Sequence, residues 1–357
     1  MLNRNPAWLR VIAVVCVATF LGAGAARADV CQEHFQGKTL RWIVSGNAGA
    51  VYDVVARLVG PHYARELGAK IVFENMRGGS GLVAMNEITG AGSDGTTIGV
   101  AGGAQTLMGA FDGRLPDPAR GLALLGQVEG SRYVWAVSKD AEIRSMEDLF
   151  RVAEERPILF PIYEPKGGSF TRVVAGALLL GIRTQFVSGY RGANAMAMAA
   201  IRNEVDLVAL GVEGREDLFA NGDLIPIMQV TRKAMPGRLF EDLPHLLGPG
   251  GLVERRTREL GRDPAEAALD AEGLEAYLGI GRIFVAPKET RPELVACMRS
   301  TLDRAFALPA LRADFKAASR LLEPQTAAEA TRHIDTARAL LPRFRPAVEE
   351  ARAALRR

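Results

Sequence analysis

Short runs of β-favouring apolar residues alternate with segments whose apolar positions recur every three to four residues, and glycine-rich turns separate them. Residues 40–44 read as a buried strand, followed by the turn Ser45-Gly46-Asn47-Ala48-Gly49-Ala50. From Asp53 the apolar spacing becomes helical and continues to Tyr63 and Leu67; Pro61 is expected to kink or split that helix. Residues 71–73 form the next strand, Gly78-Gly79-Ser80-Gly81 its turn, and 82–88 a helix. A third strand, 96–100, ends in Gly102-Gly103-Ala104-Gln105. Strand, turn and helix alternating this closely predict an α/β fold whose parallel sheet carries ligand loops on its carboxyl edge.

The pattern then partly repeats. Residues 134–138 form a strand and 146–155 a helix opened by Ser145. The strand 158–160 leads through Lys166-Gly167-Gly168-Ser169-Phe170-Thr171 to an apolar helix over 173–180. The strand 184–187 leads through Gly189-Tyr190-Arg191-Gly192 to a small-residue helix over 193–201, and strands follow at 205–210 and 224–230. A second α/β unit of about 100 residues therefore sits inside the chain. The expected division is a discontinuous first domain, 29–136 with 232–357, and a second domain, 137–231. Residues 247–273 read as a surface insertion of solvated helices, because acids interleave with its arginines. A last strand at 281–287 and three helical runs, 292–308, 311–321 and 326–341, finish the chain.

Charge and cysteine usage change this picture at the amino terminus. Arg4 and Arg10 precede an apolar run, 11–21, and Ala26-Arg27-Ala28 closes it with small outer residues. That is the pattern of a secretory signal peptide, residues 1–28, which places the mature chain in the periplasm. The apolar run is too short for the roughly 20 residues of a membrane span. Removing the signal leaves 41 basic and 41 acidic residues, so nothing supplies the basic footprint of a nucleic-acid binder. Cys31 and Cys297 remain; in an exported protein they can form a disulfide, or stay as two free or buried thiols. Four scattered histidines lack metal-ligand spacing, so neither a metal nor a cofactor is expected.

A glycine turn between a strand's carboxyl end and a helix start offers backbone N–H groups and a positive dipole end to an anion. Several such turns predict a pocket for a small acid, with the hydroxyls of Ser80 and Ser169 capping helices and touching ligand. Arg57 and Arg191 are candidate carboxylate clamps, although Arg57 lies far enough into its helix for a structural ion pair. Asp53 is expected to shape its loop, since an anionic ligand gains nothing from a nearby carboxylate. Two enzyme readings compete. Gly79-Ser80-Gly81-Leu82-Val83-Ala84 matches a dinucleotide fingerprint, but Asp94 precedes the next strand where a ribose-binding acid should end it. Ser80 and Ser169 lie in glycine loops that contain no G-x-S-x-G and no histidine, which argues against a serine hydrolase.

An ordered set of segments resembles the Bug-type (TctC-like) extracytoplasmic solute receptors of tripartite tricarboxylate transporters. Residues 44–57, with Gly49, Asp53, Ala56 and Arg57, resemble the family's opening motif; Glu74-Asn75 with Gly78-Gly79-Ser80-Gly81 is similar to its second, and Asp94-Gly95-Thr96-Thr97-Ile98 to its third. Leu115-Pro116-Asp117-Pro118, Gly167-Gly168-Ser169, Tyr190-Arg191-Gly192, the strand 225–231 and Phe284-Val285-Ala286-Pro287 follow in order. The resemblance implies a type II Venus-flytrap fold, two α/β domains on a two-strand hinge. It implies that a small carboxylate is held in the cleft, mainly by backbone amides and hydroxyls. A membrane permease would be the partner, with a signalling partner as the alternative. The ligand set drawn from it is Ser45, Gly46, Asn47, Ala48, Gly49, Ala50, Asp53, Gly79, Ser80, Gly81, Gly103, Ala104 and Gln105 against Gly168, Ser169, Thr171, Tyr190, Arg191 and Gly192. The family's first loop usually reads Pro-Gly-Gly; Ala48-Gly49-Ala50 stands here instead.

Overall fold

Parallel pairing of three buried strands sets the frame. The computed structural model describes residues 31, 33–128, 132–163, 165, 168–232, 234–235, 237–320 and 322–355. The signal segment and the positions Lys166 and Gly167 lie outside the described residues. Strand β1 (Thr39–Ser45) leads through the first glycine turn to helix α1 (Val51–Leu67). Strand β2 (Lys70–Met76), a short 3-10 turn (Gly79–Gly81) and α2 (Leu82–Thr89) come next, then β3 (Thr97–Gly102) and α3 (Gly103–Phe111). Strand β1 pairs in parallel with both β2 and β3, so their three glycine turns emerge at one edge.

The rest of that sheet pairs antiparallel. β4 (Ala123–Val128), β10 (Arg282–Ala286) and β11 (Pro324–Thr326) complete the order β11-β4-β10-β3-β1-β2, with β10 and β11 reversed and β4 running with the first three strands. β10 is antiparallel to β3 with Arg282 opposite Gly102, which brings the amino end of β10 to the ligand edge. The sheet is therefore mixed, where the alternation predicted a parallel one. Alternation along the strands places Trp42, Val44, Val100 and Phe284 on one face. There Trp42 meets Tyr63 and Phe284 edge-on at 5.7 and 5.8 Å. Ile43, Ala101, Ile283 and Val285 fall on the other face and share one buried cluster with Trp135, Phe160 and Phe170 of the second unit.

That unit has two small sheets. β5 (Tyr133–Ser138) lies antiparallel between β8 (Val208–Gly211) and β9 (Leu224–Gln229), and β6 (Ile158–Pro161) pairs in parallel with β7 (Thr184–Val187). Helices α4 (Met146–Glu155), α5 (Gly168–Leu180), α6 (Ala193–Ile201) and the short α7 (Glu216–Ala220) connect them. Ser145 opens α4 by accepting the Asp148 N–H at 3.1 Å.

Two expectations change. Helix α1 runs unbroken through Pro61, because Val55, Val59, Tyr63 and Leu67 are buried along one face. That burial outweighs the roughly 3 kcal/mol penalty of an internal proline. Nor is the 247–273 segment merely a solvated insertion. Its helices α8 (Leu252–Glu259) and α9 (Pro264–Leu278) are pinned to α5: Arg256 Nε donates to the Leu180 carbonyl at 3.0 Å and Arg262 Nη1 to that of Leu178 at 2.8 Å. Arg256 satisfies a carbonyl at the open end of α5, and Arg262 adds a second bond to the Leu178 carbonyl, which also accepts the Gly181 N–H. Helices α10 (Pro292–Ala307), α11 (Pro309–Ala317), α12 (Ala327–Leu340) and α13 (Arg345–Ala354) follow. The last of these reaches across to α5, where Arg352 Nε donates to the Pro165 carbonyl at 2.9 Å.

Candidate ligand-binding site

The first two glycine turns are built as one piece. Gly49 has φ 76°, and its N–H donates to Asp53 Oδ2 at 2.8 Å. Arg57 Nε donates to both Asp53 oxygens, at 2.9 and 3.0 Å, and its Nη2 reaches Asn75 Oδ1 at 3.4 Å. Asn75 Nδ2 in turn donates to the Gly46 carbonyl at 3.4 Å, joining the end of β2 to the turn after β1. Burial pushes the Asp53 carboxyl up, but hydrogen bonds from Arg57, Gly49 and Asn75 outweigh it and hold it below the ordinary carboxylate value. Arg57 is thus an ion-pair partner within this brace.

Left-handed backbone marks the second turn. Gly78, Gly79, Ser80 and Gly81 have φ of 120°, 56°, 53° and 96°. The Gly81 N–H closes this turn on the Gly78 carbonyl at 3.1 Å. Ser80 is strained there as a non-glycine residue, and its carbonyl is fixed by Gln105 Nε2 at 2.9 Å. Gly81 stands at the N-cap of α2, one residue past Ser80. Ser45, buried at the end of β1, stands against Gly81. Asn47, Ala48 and Gly49 are exposed, and Ala50 N–H closes their turn on the Asn47 carbonyl at 3.1 Å. At the third turn the Gly103 N–H is already engaged, donating to the Gly281 carbonyl at 2.9 Å. The amides of Ala104 and Gln105 at the helix start remain the better donors.

The other side of the site is less uniform. Gly168 and Ser169 open α5, and Thr171 is buried there beside the Tyr277 hydroxyl. Tyr190 reaches Glu204 Oε2 at 3.5 Å and packs within its own unit, while Arg191 is exposed. Among the described residues no hydrogen bond joins Tyr190, Arg191 or Gly192 to the first-unit turns.

Between the two units stands a group that sequence reasoning missed: Tyr52 of α1, Tyr133 of β5, Arg172 of α5, Tyr277 of α9 and Arg282 of β10. The Tyr52 hydroxyl reaches Gln105 Oε1 at 3.5 Å, and it approaches Gly102 so closely that any Cβ there would collide with it. Burial pushes the Tyr52 hydroxyl up, opposed by the nearby Arg282 and Arg172. Tyr277 donates to the Gly168 carbonyl at 3.3 Å and is pushed up to about 12 by burial. The Arg172 guanidinium lies 3.8 Å over the Tyr133 ring. For Arg172 a signal existed, three residues past Ser169 on the same helix; Tyr277 and Arg282 had none, because only the β10 register brings them here. A groove of about 1020 Å³ lies elsewhere, between α8, α9 and α12, and includes Arg232, Glu275 and His333.

No family model matches the chain. It is 24% identical over 288 residues, 72% of this chain and 82% of the other, to a UPF0065 protein of Bordetella bronchiseptica. A crystal structure of a TctC solute binding protein from Polaromonas superposes with a TM-score of 0.65 at 15% identity, covering 86% of this chain and 98% of that one. This is the fold of the Bug-type, TctC-like solute receptors. Among these receptors, MatC of Rhodopseudomonas palustris with bound malate superposes at a TM-score of 0.61 and 16% identity, over 85% of this chain and 99% of that one.

Proposed function

We propose that this chain is a periplasmic receptor that captures a small organic acid between its two α/β units and hands it on without chemical change. The observation that carries the reading is the convergence of three glycine-rich turns at the carboxyl ends of β1, β2 and β3, facing the opening of α5. Backbone donors at helix starts hold an anion without a net positive protein charge, which suits the balanced composition. The malate in MatC supports a carboxylate as ligand. In this reading Ser45 to Ala50, Gly79 to Gly81, and Ala104 with Gln105 form one jaw, with Asp53 as its brace. Gly168, Ser169 and Thr171 form the other, with Tyr190 to Gly192 at its rim. The proposed division keeps the first domain at 29–136 with 232–357 and the second at 137–231, except that β5 (Tyr133–Ser138) is assigned whole to the second because it pairs with β8 and β9. A permease of the tripartite tricarboxylate type is the proposed recipient.

A thermal-shift screen of the mature protein tests this against di- and tricarboxylates, amino acids, aromatic acids and nicotinamide cofactors. A ligand at 100 times its Kd stabilises by about 2.7 kcal/mol, enough to move the melting point clearly. An acid should produce that shift and be recovered unchanged. A shift with a nicotinamide cofactor alone, or turnover of the acid, would overturn the reading.

A further inference from the structure

Resting on that receptor reading, we infer that Arg172 is the counter-charge for a second acidic group on the ligand, so that the protein selects dicarboxylates over mono-acids of the same length. Arg172 is half-buried on α5, and among the described residues it has no hydrogen bond or ion pair to any carboxylate. Three other arginines are paired with carboxylates: Arg57 with Asp53, Arg132 with Glu213, Arg338 with Asp117. A partly desolvated cation without an anion is costly, and stacking on one tyrosine offsets only part of that cost.

The stacked geometry also says how an anion would arrive. With one face of the guanidinium on the Tyr133 ring, 3.8 Å away, its N–H groups lie in the plane and stay free for a bidentate carboxylate. Arg172 acts on the neighbouring hydroxyls of both Tyr52 and Tyr277, and Arg282 on that of Tyr52. Next to Arg172 in the chain, Thr171 is 2% exposed, with its hydroxyl buried beside that of Tyr277. The backbone donors of the first jaw would hold one acid group, and Arg172, across the gap between the units, the other.

Titration calorimetry of the mature protein with succinate, glutarate and adipate, each against butyrate, valerate or hexanoate, tests the inference. The wild type should bind at least one diacid roughly tenfold or more tightly than its mono-acid, as loss of a buried charged partner implies. Arg172→Gln should abolish that preference while leaving mono-acid affinity within about twofold. Arg172→Lys keeps the charge without the fork and should retain part of it; it also serves if the glutamine variant does not fold. Equal binding of diacid and mono-acid by the wild type would overturn the inference while leaving an acid receptor standing. So would an equal weakening of both by Arg172→Gln. If no acid of either kind binds, the receptor reading fails and the role of Arg172 fails with it.

Discussion

Asp53 and Arg172 show two opposite uses of charge within one site. The Asp53 carboxylate is spent on shape: it accepts from Gly49 and Arg57 and is unavailable to a ligand. A carboxyl whose folded pKa lies below its unfolded value adds stability above the unfolded value, about 3.9 for aspartate. That stability is lost as pH falls through the folded pKa. Urea midpoints should therefore drop on acidification below about pH 4, and Asp53→Asn should flatten that part of the profile. The same variant should cost about 1–3 kcal/mol at neutral pH, because it removes charged hydrogen bonds in a buried brace. This residue's role was legible in sequence, since an acid in the first turn of a helix after a glycine loop has few other uses. Arg172 was not, because nothing local shows whether a cation on a helix will find a partner.

At the scale of elements, buried glutamines hold the strands that periodicity overlooked. On β4, Gln127 donates to the Gly279 carbonyl at 2.8 Å and to Gln325 Oε1 at 2.7 Å, and accepts the Gly281 N–H at 3.0 Å. It thereby fixes the entry to β10 and the position of β11. Gln127→Leu should destabilise the protein by about 2–4 kcal/mol, seen as a lower urea midpoint, because it leaves those backbone groups buried and unpaired. The strands β1 to β3 and the second unit's β6 and β7 were readable because each combines an apolar run with a glycine turn. β4 carries Gly126 and Gln127 at its centre and β11 has three residues, so neither gives a period. Strand direction was also illegible: β4, β10 and β11 are antiparallel through long connections that the local pattern does not describe. The arginines of α8 looked solvated for a similar reason, since their acceptors belong to α5, more than seventy residues away.

Over the whole molecule, the order of glycine turns conveyed the fold, because each turn marks a strand end whatever its neighbours are. The identity of the ligand was not conveyed, since the residues between the units come from α1, β5, α5, α9 and β10, which meet only after folding. Long-range closure is strongest at Cys31 and Cys297, which are joined as a disulfide with Cα atoms 5.4 Å apart at a sequence separation of 266. Reduction should lower the melting point, and loop-closure entropy puts the loss at about 5 kcal/mol. That bond also decides how the protein bears load. In a single-molecule pull between a handle before Cys31 and one at Leu355, tension passes through the disulfide and bypasses every strand up to β10. Only the ~60 residues after Cys297 are left to lengthen, about 200 Å of extended chain. A thiol reductant should release several times that length, so the protein is mechanically short until this bridge is cut.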